Sequence, residues 1–216
     1  MTNRSYRLRG VRITPSQQAA RDTLWEIYGV AFSENKIDLD SLFPKQQPIV
    51  LEIGYGMGEA TWQIARANPD INYLGVEVHM PGAGKLMARL AEYEIKNVRL
   101  IERDIFEVFH YMLKDECLDG VHLFFPDPWP KKRHFKRRII QERFLNEVAT
   151  KLKPGGYLHI ATDWVPYAEW ITDVFAHSEL FSGGVIKRPD WRPLTRFEGQ
   201  GISKDHAVND FRFIKA

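Results

Sequence analysis

"PIVLEIGYGMGEATWQIARAN", residues 48–68, changes its period midway. Residues 49–53 are a short apolar run rich in β-branched side chains, and from Glu59 onward the apolar positions recur at helical spacing. Between the two stand Gly54, Gly56 and Gly58. A strand that leaves through glycines into a helix is the opening unit of a parallel α/β sheet, and the alternation continues downstream. "INYLGVEV" (71–78), "NVRLIER" (97–103), "LDGVHLFF" (118–125) and "KPGGYLHIATD" (153–163) read as strands. They alternate with helices in "KLMARLAEYE", "IFEVFHYMLK", "RIIQERFLNEVATKL" and "YAEWITDVFAHS". In the third of these, Ile140, Phe144, Leu145 and Val148 share one stripe. "AVNDFRFIKA" (207–216) reads as a closing strand. Upstream, "TPSQQAARDTLWEIYG" has a Thr cap, Pro at the first helical position and Gly29 at its end, so it reads as a helix. The expected fold is α/β, a doubly wound and mostly parallel sheet whose ligands bind beyond the carboxyl ends of the strands.

The acids fall at those ends. Glu52 precedes the glycines, Glu77 closes the second strand, and Asp104, Asp127 and Asp163 follow the third, fourth and fifth. The glycine spacing argues against a dinucleotide. The pyrophosphate fingerprint needs Gly or Ala five residues after its first Gly, and Glu59 stands there, an anion where a diphosphate would sit. A G-x-G-x-G loop behind an acid suits a nucleoside with a charged amino-acid tail, with Glu52 meeting an ammonium group. Glu77, 23 residues after Gly54, is placed to accept from ribose hydroxyls, and Asp104 from an exocyclic amine of adenine. These features describe an S-adenosyl-L-methionine pocket better than a nicotinamide one. The plainer readings are a tight structural turn for the glycines and a helix cap for Asp104.

The fourth strand ends in "LFFPDPWPKKRHFKRR" (123–138). Pro126 and Pro128 stiffen the backbone around Asp127, and Trp129 adds an aromatic plane on which an unpaired base can stack. Lys131, Lys132, Arg133, Lys136, Arg137 and Arg138 follow with no acid among them, and they exceed the net charge of +2 for the whole chain. A dense basic strip on an otherwise acidic body points to a local polyanion contact, against the plainer reading of a solvated charged face. Arg4, Arg7, Arg9 and Arg12 form a second acid-free cluster.

Across 216 residues, 44% hydrophobic content and 12% aromatic content describe a packed globule. Cys117 is the sole cysteine, which excludes an internal disulfide and a Cys-based zinc cluster, and no His set has metal-ligand spacing. His79, His110, His122, His159 and His177 read as structural, and His134 as part of the basic strip. With neither a signal peptide nor a membrane span in the sequence, a cytoplasmic protein is expected.

"LEIGYGMGEA", "YLGVEVHMPGAGKLM", "RDIFEVF", "FPDPWPKKRHFKRRI", "LKPGGYLHIATDW" and "RPLTRFE" together resemble the bacterial tRNA (guanine-N(7)-)-methyltransferase family, the TrmB type. The resemblance runs from about residue 6 onward and is firmest over 50–200. It implies a seven-stranded, Rossmann-like class I methyltransferase domain over 34–216, preceded by a basic arm and helix over 1–33. It further implies that Glu52, Gly54, Gly56, Gly58, Glu77, Asp104 and Asp127 line the S-adenosyl-L-methionine site, with Asp127 catalytic. Lys131, Asp163, Thr195, Arg196, Phe197 and Glu198 would contact the substrate, and Arg133, His134, Phe135, Lys136, Arg137 and Arg138 would face RNA. His206 and Asp210 fit the family pattern, and Asn209 departs from it. The implied partner is tRNA, at guanosine 46 of the variable loop, for a monomer or weak homodimer without metal or membrane. Two rivals keep the fold: an adenine amino-methyltransferase acting on nucleic acid, and an RNA-binding module without catalysis. A nicotinamide oxidoreductase is undermined by Glu59.

Overall fold

The computed structural model describes residues 5, 6, 13–194 and 208–216. Its first helix, α1 (Pro15–Tyr28), starts where the sequence places it. Thr14 and Gln17 close a capping box, the Gln17 amide donating to Thr14 Oγ1 at 3.3 Å and the Thr14 amide to Gln17 Oε1 at 2.9 Å. The alternation then yields β1 (Ile49–Ile53), α2 (Glu59–Ala67), β2 (Asn72–Glu77), α3 (Met80–Glu92), β3 (Val98–Glu102) and α4 (Ile105–Glu107). Next come β4 (Leu118–Phe124), α5 (Glu142–Lys151), β5 (Leu152–Thr162), α6 (Val165–Ala176), β6 (Phe181–Ile186) and β7 (Asn209–Lys215).

The sheet has seven strands in the order β3-β2-β1-β4-β5-β7-β6, and β7 alone runs against the others. Chain order reverses direction between β1 and β4, which makes the crevice at their carboxyl ends the expected binding place. β1 is buried along its whole length because helices cover both faces. On one face Tyr28, Ile64, Leu86, Met87 and Leu90 of α1–α3 meet Val50 and Tyr73. On the other, Phe144, Val148, Tyr167 and Ile171 of α5 and α6 meet Leu51, Ile53, Val121 and Ile160. Each such fully buried side chain stabilises the fold by roughly 2 kcal/mol. α1 lies so close along α3 that a side chain at Gly84 would strike the Gln17 carbonyl.

Three local features differ from the sequence expectation. The helix after Asp104 is a short α segment that widens into a π turn over Val108–Met112. The Lys36 ammonium donates to the carbonyls of Phe109, His110 and Leu113, which holds the loosened turn in place. Ile140 precedes α5 rather than belonging to it, although it is buried against the same core. β6 carried no strand signal, since "FSGGVI" has two glycines at its centre and an exposed Val185.

Candidate functional site

Because β1–β5 are parallel, their carboxyl ends bring the predicted acids to one edge of the sheet. Glu52 is the penultimate residue of β1, Glu77 closes β2, and Asp104 follows β3 by two residues. Asp127 lies three residues beyond β4, and Asp163 directly follows β5.

The glycine loop is tied down on its inner side and open on its outer one. Gly54 donates to the Val76 carbonyl and Gly58 to that of Tyr55, both at 2.8 Å. Gly58 has φ +74°, and a Cβ there would meet Leu86 of α3 at 2.6 Å, so both conformation and packing demand glycine. At Gly56, also left-handed with φ +54°, an added Cβ would meet nothing within 4 Å. That open side is the space in which a ligand can lie against bare backbone.

Glu77 fixes this loop. Its Oε2 accepts from the Gly56 amide at 2.9 Å, and its Oε1 from the amides of Val78 and His79 at 2.7 and 3.0 Å. Three of the roughly four lone-pair positions of the carboxylate are used, which leaves capacity for a ligand hydroxyl. Glu52 is different: it is 3% exposed, and burial pushes its carboxyl up to about 7. The Thr61 hydroxyl partly offsets this without making a hydrogen bond of normal geometry, and the nearby Glu77 adds to the rise. The buried hydroxyls of Tyr55 and Thr61 are unpartnered among the described residues. Orphaned polar groups around a desolvated carboxylate, beneath an open glycine loop, fit a ligand that brings its own ammonium and hydroxyls.

Asp104 caps α4, its Oδ1 accepting from the Phe106 amide at 2.8 Å, and no other hydrogen bond to its carboxylate is found among the described residues. The cap uses one carboxylate oxygen, so it does not conflict with the adenine reading. Glu59 opens α2, with its Oε1 accepting from Gln63 Nε2 at 2.9 Å, so an anion does occupy the helix start where a diphosphate would bind.

At the exit of β4 the backbone is strained. Phe125 and Trp129, neither of them glycine, have φ of +51° and +44°, so two left-handed residues bracket Pro126-Asp127-Pro128. Asp127 is half-buried and has no hydrogen bond or ion pair among the described residues. Asp163 is likewise half-buried and unpaired there. Trp129 is less free than its sequence suggests: its indole N–H donates to the Ser5 carbonyl at 3.0 Å, and the Arg137 guanidinium lies 5.0 Å from its ring centre.

Lys131, Lys132, Arg133, Lys136 and Arg137 are exposed, the last four on a single 3-10 turn over Lys132–Arg137, while His134 and Phe135 are half-buried. Arg138 corrects the expectation. It is 2% exposed, its Nε donates to the Pro128 carbonyl at 2.9 Å, and its guanidinium lies among the rings of Phe135, Tyr167 and Trp170. A side chain sealed in that way is not available to a phosphate. In sequence it is indistinguishable from its neighbours in the basic run.

Thr195, Arg196, Phe197, Glu198, His206 and the Arg cluster of residues 4–12 lie outside the described residues. Arg192 and His159 lie in the quoted motifs and Asp210 fits the family pattern, but no motif shows that the three meet. Arg192 and Asp210, both buried, form a two-armed ion pair at 2.7 and 2.8 Å, and His159 Nε2 lies 2.7 Å from the same carboxylate. His122, packed face to face with Trp191, adjoins this group, and burial lowers its basicity well below the usual range. Among the described residues no cluster of His, Cys, Asp and Glu could hold a metal ion, and no helix is long and apolar enough to cross a membrane.

Comparison with known proteins shows the family. A family model described as "Putative methyltransferase" matches residues 46–211. The tRNA (guanine-N(7)-)-methyltransferase of Methylobacillus flagellatus is 47% identical over 214 residues, 97% of this chain and 90% of that protein. That of Chromobacterium violaceum is 49% identical over 213 residues, 97% of this chain and 94% of that protein. Among solved structures, a 30S ribosomal A1408 methyltransferase from an uncultured bacterium superposes with a TM-score of 0.58 at 14% identity, over 88% of this chain and 98% of that one. That likeness concerns the fold alone. By sequence along nearly its whole length, the chain belongs to the tRNA (guanine-N(7)-)-methyltransferase family.

Proposed function

We propose that this chain transfers the methyl group of S-adenosyl-L-methionine to N(7) of a guanine in tRNA, at guanosine 46 of the variable loop, in the cytoplasm and as a monomer or weak homodimer. The observation that carries the reading is Asp127. It is a carboxylate without a partner among the described residues, held between two left-handed residues, at the strand end shared by the glycine loop and the exposed cations.

When bound, the cofactor supplies an electrophilic methyl group on a sulfonium. Glu52 takes its ammonium, Glu77 its ribose hydroxyls and Asp104 its adenine amine, while Gly54 and Gly56 leave room for close approach. Guanine N(7) carries a lone pair and no proton, so the chain needs no general base. Its task is to hold two partners in line and to stabilise the positive charge that appears on the purine, the latter assigned to Asp127. Asp163 and Glu198 accept from the amino and imino edge that guanine alone presents. Lys131, Lys132, Arg133, Lys136 and Arg137 hold phosphates, assisted by His134.

The test is to incubate purified protein with labelled S-adenosyl-L-methionine and unmodified tRNA transcripts, digest, and identify the labelled nucleoside. The expected result is 7-methylguanosine that disappears when the variable-loop guanosine is replaced. Label in adenine, or binding of both partners without transfer, overturns the reading.

A further inference from the structure

Arg138 is buried without a counter-ion. No carboxylate pairs with it among the described residues; its Nε donates to Pro128, and aromatic rings surround the rest of the guanidinium, at 3.7 Å for Phe135 and 5.0 Å each for Tyr167 and Trp170. An unpaired interior cation is costly, and a Leu or Met would fill the same volume without that cost. What the guanidinium supplies, and a hydrocarbon cannot, is a donor fixed in direction toward one backbone carbonyl.

That carbonyl belongs to the residue immediately after Asp127. On the other side of the Asp, the Phe125 amide donates to Ala161 at 2.8 Å. The strained turn is therefore tied at both ends, to β5 before the acid and to Arg138 after it. Arg138 is itself seated against α6. Trp170 Nε1 donates to the Ile140 carbonyl at 2.8 Å, and the Gln141 side chain donates to the Arg138 carbonyl. Strained conformations persist only where their surroundings over-determine them, and these ties do so.

We infer that Arg138 is a positioning residue for Asp127: through its bond to the Pro128 carbonyl it holds the strained Pro-Asp-Pro exit in the geometry that aims the Asp127 carboxylate at the substrate purine. This rests on the methyl-transfer reading above and adds to it a role for the one basic residue of the strip that faces inward.

The test uses Arg138→Ala, compared with wild type in single-turnover transfer to pre-bound tRNA. The expected loss is about 100-fold, the scale of a misplacement near 1 Å. Affinities for tRNA and for S-adenosyl-L-methionine, and the salt dependence of tRNA binding, should stay as in wild type. The substitution leaves a cavity of guanidinium shape, so guanidinium chloride at non-denaturing concentration should restore much of the rate, while sodium chloride at equal ionic strength should not. Should Arg138→Ala fail to fold, Arg138→Met keeps the volume and removes the donor, and it should fold and transfer slowly. An Arg138→Ala or Arg138→Met protein that transfers at the wild-type rate overturns the inference. So does weakened tRNA binding with a salt slope lower by about one, which would make Arg138 a phosphate contact. A wild-type protein that forms no 7-methylguanosine overturns the functional reading itself, and the inference with it.

Discussion

Replacing Glu52 by Gln should make this protein more stable at neutral pH and weaken its hold on the cofactor. The buried carboxyl has its pKa raised from 4.5 to about 7, chiefly by loss of water. At ~1.4 kcal/mol per tenfold, ionising it inside the fold costs about 3 kcal/mol more than in the unfolded chain. Below pH 4.5 the group is protonated in both states and nothing is lost. As pH rises through the interval from 4.5 to 7 the unfolded chain ionises first, so stability falls, and above pH 7 the penalty is constant. The isosteric amide carries no such penalty. Urea unfolding of wild type and Glu52→Gln from pH 4 to 8 should show curves that converge at the acid end and separate by about 3 kcal/mol at pH 8, or roughly 6–12 °C in Tm for a chain of this size. A ligand ammonium recovers the penalty when it binds. Wild-type affinity for S-adenosyl-L-methionine should therefore increase as pH rises through 7, while the variant binds weakly with no such dependence. A stability difference that does not change with pH would refute the reasoning.

Asp127→Asn should slow single-turnover methyl transfer while leaving the affinity for tRNA unchanged, and full turnover would remove its assignment. Gly58→Ala should destabilise by about 2 kcal/mol in urea unfolding, because φ of +74° and the Leu86 contact both resist a side chain. Gly56→Ala should cost less stability, about 1 kcal/mol of backbone strain, yet abolish cofactor binding by calorimetry, because its methyl enters the open side of the loop. Asp210→Asn should cost about 3–5 kcal/mol by breaking the buried two-armed pair with Arg192. Burial alone would raise the Asp210 carboxyl, but hydrogen bonds from His159 and Arg192 bring it below its usual value. Its contribution is thus present above pH 3.8 and lost on further acidification, which an acid-unfolding midpoint would detect. Replacing Lys132, Arg133, Lys136 and Arg137 together by Ala should flatten the salt dependence of tRNA binding by roughly 0.7–0.9 for each phosphate that is no longer neutralised.

The legible parts of the sequence were those in which local chemistry and tertiary structure agree. Thr14 with Pro15 marks α1 because the cap is made by the same four residues that start the helix. The glycines announced the tight turn after β1 because a left-handed backbone has few other residue choices, and Asp127 stood out through its prolines. Arg138 was not legible. A run of basic residues gives no sign of which one turns inward, and the aromatic rings that decide it include Tyr167 and Trp170, about thirty residues on. The clasp of Arg192, Asp210 and His159 was hidden for the same reason, since its members come from three separate stretches of chain. β6 escaped because an edge strand can be held by backbone pairing to β7 alone, with little demand on side chains.

The placement of β7 between β5 and β6 sets an order of assembly. β6 is made before β7, yet among the described residues its only sheet partner is β7, which arrives later. Until then β5 also presents an open edge, and Phe175, which stacks on Phe213 with ring centres 3.5 Å apart, lacks its partner. During synthesis the half built from β1–β4 can close while the other half waits with unpaired backbone exposed, the condition in which chains associate wrongly. For this protein the vulnerable interval on the ribosome falls between the emergence of β5 and that of β7.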